Sequence, residues 1–421
     1  MIVTVPLAKD VDWKFTAPPS KSYTHRAMII AALANGRSIL QNPLFSEDTD
    51  LTRFALEALG VKLQVDPNLL RITGLDGHFY CGREKTIDLK NSGTSLRLLT
   101  SLALLCDQPI ILTGNKRMQE RPIGPLAAAL KVLGGKIDFL ETEGYPPIRV
   151  HGTLKGGKTI IDGTISSQFI SSLLLVGPYA QRQIKLDIPN PPVSSSYLDV
   201  TVDIMQAFGS RVFRDDHKWF QVSNRKQYQA RTYDIEGDFS SASYFFAIAA
   251  ICGGRVEVSN LNPNSVQGDR QFLDLLQSMG CTVNQTYDNI SVERTGELKG
   301  IDCDMSSSPD TVQTLCIVAA MASTPTTIRG ISHLKFKESD RIISTAKQLE
   351  KLGGDVKVES DSIRIQPVKL HGGTINPSDD HRTAMSFAVL GHAIGGITIE
   401  NAECVNKSFP GFWGALEGAK S

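Results

Sequence analysis

Residues 59–73 read Leu59-Gly60-Val-Lys-Leu-Gln-Val65, then Asp66-Pro67-Asn68, then Leu69-Leu-Arg-Ile-Thr73. A helical pattern stops at the glycine and a β-like run follows. A polar turn then reverses the chain into a second β-like run. The same arrangement stands behind Leu133-Gly134, Phe208-Gly209, Met279-Gly280 and Leu352-Gly353. The five glycines are 74, 75, 71 and 73 residues apart, which is a true internal period.

Working outward, the other half of each unit repeats too. A polar cluster opens an Ala/Leu/Ile-rich helix, a short strand follows, and a second, charged loop leads to the helix that ends at the glycine. The helix starts fall near Ser22, Thr94, Ser167, Ser241, Asp310 and His381, at spacings of 72, 73, 74, 69 and 71. That makes six units, each read as helix, strand, helix, strand, strand. The sixth runs out at Phe412-Trp-Gly-Ala-Leu-Glu-Gly418 before its closing strands, and Met1-Ile-Val-Thr-Val5 is available to supply one of them. The chain is then expected to form two three-unit lobes, with crossings near Pro18-Pro19 and Ile235-Glu236-Gly237. One lobe takes residues 1–16 with 235–421 and the other takes 17–234.

Composition narrows the function. The chain has 421 residues, 41% of them hydrophobic and 21% charged, enough for two cores in an ordinary globular protein. Lys+Arg and Asp+Glu are both 44, so no net field draws the chain to nucleic acid or acidic membranes. The start, Met1-Ile-Val-Thr-Val-Pro6, has neither the basic region nor the apolar core of a signal peptide. No apolar run approaches the roughly 18–20 residues of a membrane span. Seven cysteines without a C-x-x-C pair read as reduced thiols of a cytoplasmic protein, and eight histidines show no metal-ligand spacing.

Equivalent helix starts in repeated units are expected to face one cleft between the lobes, where ligands bind. They read Pro18-Pro-Ser-Lys-Ser-Tyr-Thr-His-Arg26, Asn91-Ser-Gly-Thr-Ser-Leu-Arg97, Gly163-Thr-Ile-Ser-Ser-Gln168, Gly237-Asp-Phe-Ser-Ser241, Ser306-Ser-Ser-Pro-Asp310 and Ser378-Asp-Asp-His-Arg382. Ser, Thr, Asn and Gly are what helix caps require in any case. Cations are not, because the helix N-terminus is itself positive. Lys21, Arg26, Arg97 and Arg382 near such ends therefore argue for bound anions. The second-loop series includes Ser332-His-Leu-Lys-Phe-Lys-Glu-Ser-Asp-Arg341, where a helix is expected to start at Ser339 or Asp340. Glu338 and Arg341, three apart, would share a face there, and Arg341 too asks for an offsetting anion.

Taken in order, Pro19-Ser-Lys-Ser, Asn91-Ser-Gly-Thr-Ser-Leu-Arg, Arg117-Met-Gln-Glu-Arg-Pro-Ile, Ser166-Ser-Gln, Gly237-Asp-Phe-Ser-Ser-Ala-Ser, Pro309-Asp310, Lys337-Glu-Ser-Asp-Arg and Asp380-His-Arg-Thr-Ala-Met closely resemble the 5-enolpyruvylshikimate-3-phosphate synthase family over essentially the whole chain. The resemblance implies an α/β (α+β) fold of two lobes, an inside-out α/β barrel of six βαβαββ-type repeats, three per lobe. It implies a shikimate-pathway enzyme of aromatic amino-acid biosynthesis, with no metal and no organic cofactor. Phosphoenolpyruvate and shikimate 3-phosphate would be its small-molecule substrates. A cytoplasmic monomer, without nucleic-acid or membrane partners, is expected.

Carried over residue by residue, Lys21 would touch both substrates. Ser22 and Arg26 would hold the shikimate ring and its carboxylate; Ser166, Ser167 and Ser194 would hold the 3-phosphate. Gln168 would lie between the substrates and Tyr197 against the shikimate. Gly93, Arg121, Arg341, Arg382 and Lys407 would hold phosphoenolpyruvate. Asp310 would be the base toward the 5-hydroxyl, while Lys337 and Glu338 would handle proton traffic, Glu338 donating to the methylene carbon. Two positions depart from the family pattern: His333, on the shikimate side, stands where Asn is frequent, and Lys90 stands where a small residue is usual. Rival readings are a UDP-N-acetylglucosamine enolpyruvyl transferase and an RNA 3′-phosphate cyclase-like protein. The former carries a reactive Cys in the loop equivalent to 114–121, which here has none; neutral charge opposes the latter.

Overall fold

The structure is a computed structural model that describes residues 1–419. Its regularity is that of the period. The first helix of each repeat is Lys21–Leu33, Gly93–Leu102, Gln168–Val176, Phe239–Cys252, Val312–Ala320 and His381–Ile394, each within two residues of the start read from the sequence. Side chains cap four of these six: Ser20, Ser92, Asp238 and Asp380 accept the free N–H groups of the first turn.

The described residues form five four-stranded sheets and one three-stranded sheet. In the second repeat, Lys85–Asp88 runs parallel to Ile110–Thr113 (Lys85 opposite Ile110), followed by antiparallel Ile148–Gly152 and Gly135–Phe139. Each four-stranded sheet has this order, but two borrow their leading strand from elsewhere in the chain. Thr232–Asp234, which precedes the fourth repeat's helix, pairs in parallel with Asn35–Gln41 of the first repeat. Val11–Thr16, which precedes the first repeat's helix, pairs in parallel with Gly254–Ser259 of the fourth. The truncated sixth sheet is completed by Val3–Val5, antiparallel to Ile397–Ile399 with Val3 opposite Ile399.

The chain divides into two compact units, Met1–Pro18 with Glu236 onward, and Pro19–Ile235. The final two residues of the expected 235–421 segment lie outside the described ones. Each unit has its own hydrophobic core. In the 19–235 unit, Gly93–Leu102 and Lys21–Leu33 both pack on Gln168–Val176. In the other, Phe239–Cys252, Val312–Ala320 and His381–Ile394 pack on one another. These helices are buried nearly all round, and every residue of Phe239–Cys252 is buried. Small hydroxyls let them approach: Ser101 Oγ lies 2.6 Å from Ser172 Oγ, which donates to the Arg97 carbonyl at 2.6 Å. By contrast, Arg341–Lys351 buries only one stripe, formed by Arg341, Ile342, Thr345, Ala346 and Leu349. Rigid buried helices thus present their N-termini at fixed places, and those N-termini carry the site residues. Among the described residues, no helix is long and apolar enough to cross a membrane.

Candidate active site

In the 19–235 unit, Ser20 caps the helix on which Lys21, Ser22 and Arg26 stand. The Lys21 ammonium is 3.1 Å from the buried Asp48 carboxylate, so part of its charge is met inside the protein. Arg26 differs. It is buried, and its guanidinium donates to Thr201 Oγ1 at 2.7 Å and to the Ser22, Tyr197 and Ser171 oxygens at 3.0, 3.3 and 3.5 Å. All four are neutral. Burial pushes its pKa down to about 10, with the Tyr197 ring 6.0 Å away. A buried guanidinium among neutral acceptors is short of an anion.

Ser166, Ser167, Gln168 and Ser194 gather around the start of Gln168–Val176 and the loop before Ser196–Ala207. Neither cap residue accepts through its side chain; instead the Gln168 N–H donates to Ser166 Oγ at 3.3 Å and the Tyr197 N–H to the Ser194 carbonyl at 3.1 Å. Ser194 adopts a left-handed backbone, φ 54°. Arg97 Nη1 donates to Gln168 Oε1 at 2.9 Å and to Ser166 Oγ at 3.3 Å, and Gln168 Nε2 donates to Thr94 Oγ1 at 3.0 Å. Arg97 was noted in the sequence only as a misplaced cation; the structure joins it to the serine cluster.

Gly93 opens its helix with the Arg121 guanidinium so close that a Cβ would lie 2.5 Å from Nη2. Arg121 donates to the Asn91 carbonyl and side-chain oxygens at 3.2 and 3.3 Å. Lys90 has φ 45°, a left-handed conformation that costs an L-residue with a long side chain about 1 kcal/mol or more.

In the other unit Arg341 is the hub. Asp340 caps Arg341–Lys351, as the sequence suggested. The anion expected to offset Arg341, however, is built in: Nη1 meets Asp310 Oδ1 at 2.9 Å, Nη2 meets Glu338 Oε2 at 2.7 Å and Nε meets Asp380 Oδ2 at 3.0 Å. Burial opposes the Arg341 charge, yet the Asp380, Glu338 and Asp310 carboxylates outweigh it and raise its pKa. The other Asp310 oxygen accepts from Arg382 Nη2 at 2.7 Å. Asp310 is therefore not a helix cap; the next helix begins at Val312 after Thr311, and both Asp310 oxygens face arginines. Arg382 also donates to the Tyr244 hydroxyl at 3.3 Å, and burial pushes that phenol up to about 12. Lys407 Nζ stands 3.9 Å from Glu338 Oε1.

His333 is buried in the turn Ser332–Phe336. Burial, aided by the nearby Lys337 charge, pushes its pKa down to about 3, so it is a neutral imidazole at working pH.

The sequence reading missed Asp48 and Asp380. Both lay in plain view, Asp380 within a quoted motif, but acids near a helix start look like ordinary caps. Only their pairing with cations 27 and 39 residues away gives them meaning. They enter the charge balance of the site. Lys21, Arg26, Arg97 and Arg121 against Asp48 leave +3 in one unit; Lys337, Arg341, Arg382 and Lys407 against Asp310, Glu338 and Asp380 leave +1 in the other.

Known proteins resemble this chain almost from end to end. The family model for EPSP synthase (3-phosphoshikimate 1-carboxyvinyltransferase) matches residues 7–416. A 3-phosphoshikimate 1-carboxyvinyltransferase of Methanoculleus marisnigri is 57% identical over 418 residues, covering 99% of each chain. One from Pectobacterium carotovorum is 42% identical over 419 residues, covering 98% of this chain and 97% of its own. A solved EPSP synthase structure from Acinetobacter baumannii superposes with a TM-score of 0.82 at 27% identity, covering 99% of this chain and 98% of that one. With a family model matched over residues 7–416 and relatives matched almost end to end, the chain belongs to the EPSP synthase family.

Proposed function

We infer that this chain transfers the enolpyruvyl group of phosphoenolpyruvate to the 5-hydroxyl of shikimate 3-phosphate, releasing phosphate, as a step of the shikimate pathway toward aromatic amino acids. The observation that carries the mechanism is that Asp310 and Glu338, two acids with different neighbours, hang on one guanidinium, that of Arg341. The hydroxyl oxygen adds to C2 of the enol while a proton goes to C3, forming a tetrahedral adduct. Loss of phosphate and of a C3 proton then restores the double bond. One group must take and return the oxygen's proton and another the carbon's. We assign the first to Asp310 and the second to Glu338, with Lys337 and Lys21 assisting. A carboxylate oxygen held by one N–H keeps a second lone pair, so the arginine contacts leave Asp310 able to accept a proton.

Shikimate 3-phosphate is assigned to Lys21, Ser22, Arg26, Ser166, Ser167, Gln168, Ser194 and Tyr197, with Asp310, His333 and Lys337. Phosphoenolpyruvate is assigned to Lys21, Gly93, Arg121, Gln168, Glu338, Arg341, Arg382 and Lys407. The neutral surroundings of Arg26 support the first assignment; guanidinium forks, which match carboxylate and phosphate, support the second. When phosphoenolpyruvate takes up the arginine donors, the two acids are released from them and become stronger bases. The chain acts as a cytoplasmic monomer in this reading, and an elution volume of two copies would count against it.

The test is phosphate release from phosphoenolpyruvate with and without shikimate 3-phosphate. Release that requires shikimate 3-phosphate is expected. Release with UDP-N-acetylglucosamine instead would overturn the substrate.

A further inference from the structure

Asp269 takes no part in the mechanism above, yet it is buried beside the acid on which that mechanism depends. It stands in the short turn Gly268–Arg270, which is tied on two sides. Toward the fourth repeat's helix, Ser240 Oγ donates to Asp269 Oδ2 at 2.6 Å, and the neighbouring Gln267 side chain accepts the Phe239 N–H at 3.1 Å. Toward the loop that carries Asp310, Ser308 Oγ donates to the Gly268 carbonyl at 2.7 Å. The turn is thus a wedge between a rigid helix start and the segment two residues ahead of the base.

Among the charges that act on Asp269 are Asp310 and Asp238, which oppose its ionisation, and Arg382, which favours it. Burial is the largest influence, the Asp310 charge the next, and together they push the carboxyl up to about 7 against the help of Ser240. Arg382 is shared: the same guanidinium that acts on Asp269 is bonded to Asp310. A proton on Asp269 therefore removes a negative charge from the surroundings of Asp310, and its loss restores one. Like charges at short range hold a proton more tightly than either does alone.

We propose that Asp269 is a positioning residue for proton transfer at Asp310, holding or releasing one proton beside that carboxylate and so setting how strongly Asp310 draws the proton of the substrate hydroxyl. The inference rests on the functional reading above. The proton on Asp269 exchanges with solvent and is not transferred to substrate; the electron pair that accepts the hydroxyl proton remains that of Asp310. With Asp269 ionised, Asp310 is the stronger base and turnover is faster.

The experiment is the ratio of variant to wild-type kcat across pH 6–9, read by phosphate release with both substrates saturating. Substrate phosphates also titrate near pH 6, but that is common to both proteins and cancels in the ratio. For Asp269→Asn, which still accepts the Ser240 hydrogen bond, the ratio is expected near one at the acid end, falling about three- to tenfold toward pH 9, with KM values little changed. Ser240→Ala removes the hydrogen bond that favours the ionised form, so its acid limb is expected to move to higher pH. A purely structural role for Asp269 would give a pH-independent ratio. A flat ratio in Asp269→Asn, or a Ser240→Ala limb that stays put or moves down, would overturn the proposal. If Asp269→Asn does not fold, the direction of the Ser240→Ala shift decides alone. No turnover in the wild type would instead sink the functional reading, so the two failures are distinguishable.

Discussion

Arg26 and Arg341 are both fully buried arginines, one in each unit, and they are buried in opposite ways. Arg26 sits among neutral oxygens from Thr201, Ser22, Tyr197 and Ser171. Arg341 sits among the carboxylates of Asp310, Glu338 and Asp380. Burial lowers the proton affinity of the first, and the carboxylates raise that of the second. One unit therefore presents unspent positive charge; the other presents acids held in place by their own counter-ions. Binding an anion calls for the former, moving protons for the latter.

This contrast breaks or sharpens at four points. The largest effect is expected for Asp310→Asn and Glu338→Gln, which keep the arginine acceptors but lose the acid–base function. Turnover should fall by about 10²–10⁴-fold with the fold intact, and steady-state phosphate release together with circular dichroism checks it. Wild-type rates in either would remove that residue from the chemistry. Next come the two arginines themselves. Arg341→Leu strands Asp380, which is wholly buried, and should cost about 3–5 kcal/mol in urea unfolding. Arg26→Leu leaves only neutral groups unpaired and should cost about 1–3 kcal/mol, while weakening shikimate 3-phosphate binding about tenfold to a hundredfold. Equal stability losses would erase the distinction.

Gly93→Ala is smaller. The three atoms nearest the new Cβ all belong to the far end of Arg121, a flexible side chain, so stability should hold while the KM for phosphoenolpyruvate rises by about tenfold. Inhibition by glyphosate, expected to compete with phosphoenolpyruvate, should be relieved alongside; equal inhibition of both forms would misplace this loop. The smallest effect concerns His333. Its folded pKa, about 3, lies below the ordinary 6.5, so the unfolded chain binds the extra proton between those values. His333 thus subtracts stability as pH falls through that window, and subtracts nothing above it. His333→Asn should flatten the dependence of the urea midpoint between pH 6.5 and 4, and a parallel profile would refute the assignment.

The repeat was legible because a period survives substitution: Leu59-Gly60 has four echoes, and the polar clusters of the same period give six helix starts to within two residues. The exchange of leading strands was not. Val11–Thr16 alternates buried and exposed residues as any edge-paired strand does, and nothing local says that its partner lies at Gly254–Ser259. Site residues with unusual placement, Arg26, Arg341 and Arg382, stood out because a helix start repels them. The carboxylates that answer Lys21 and Arg341 did not, since Asp48 and Asp380 look at home where they are.

The borrowed strands also set a timetable for the nascent chain. The 19–235 unit has all its pieces once Thr232–Asp234 has left the ribosome, with more than 180 residues still to be made. The other unit must keep Val3–Val5 waiting until Ile397–Ile399 appears. Domains generally fold as they emerge, and pairings across long loops form late. Val3–Val5 is therefore among the last segments to find its place, and once residue 235 has emerged the chain exists as one finished unit flanked by a leading ribbon still waiting for its last partner.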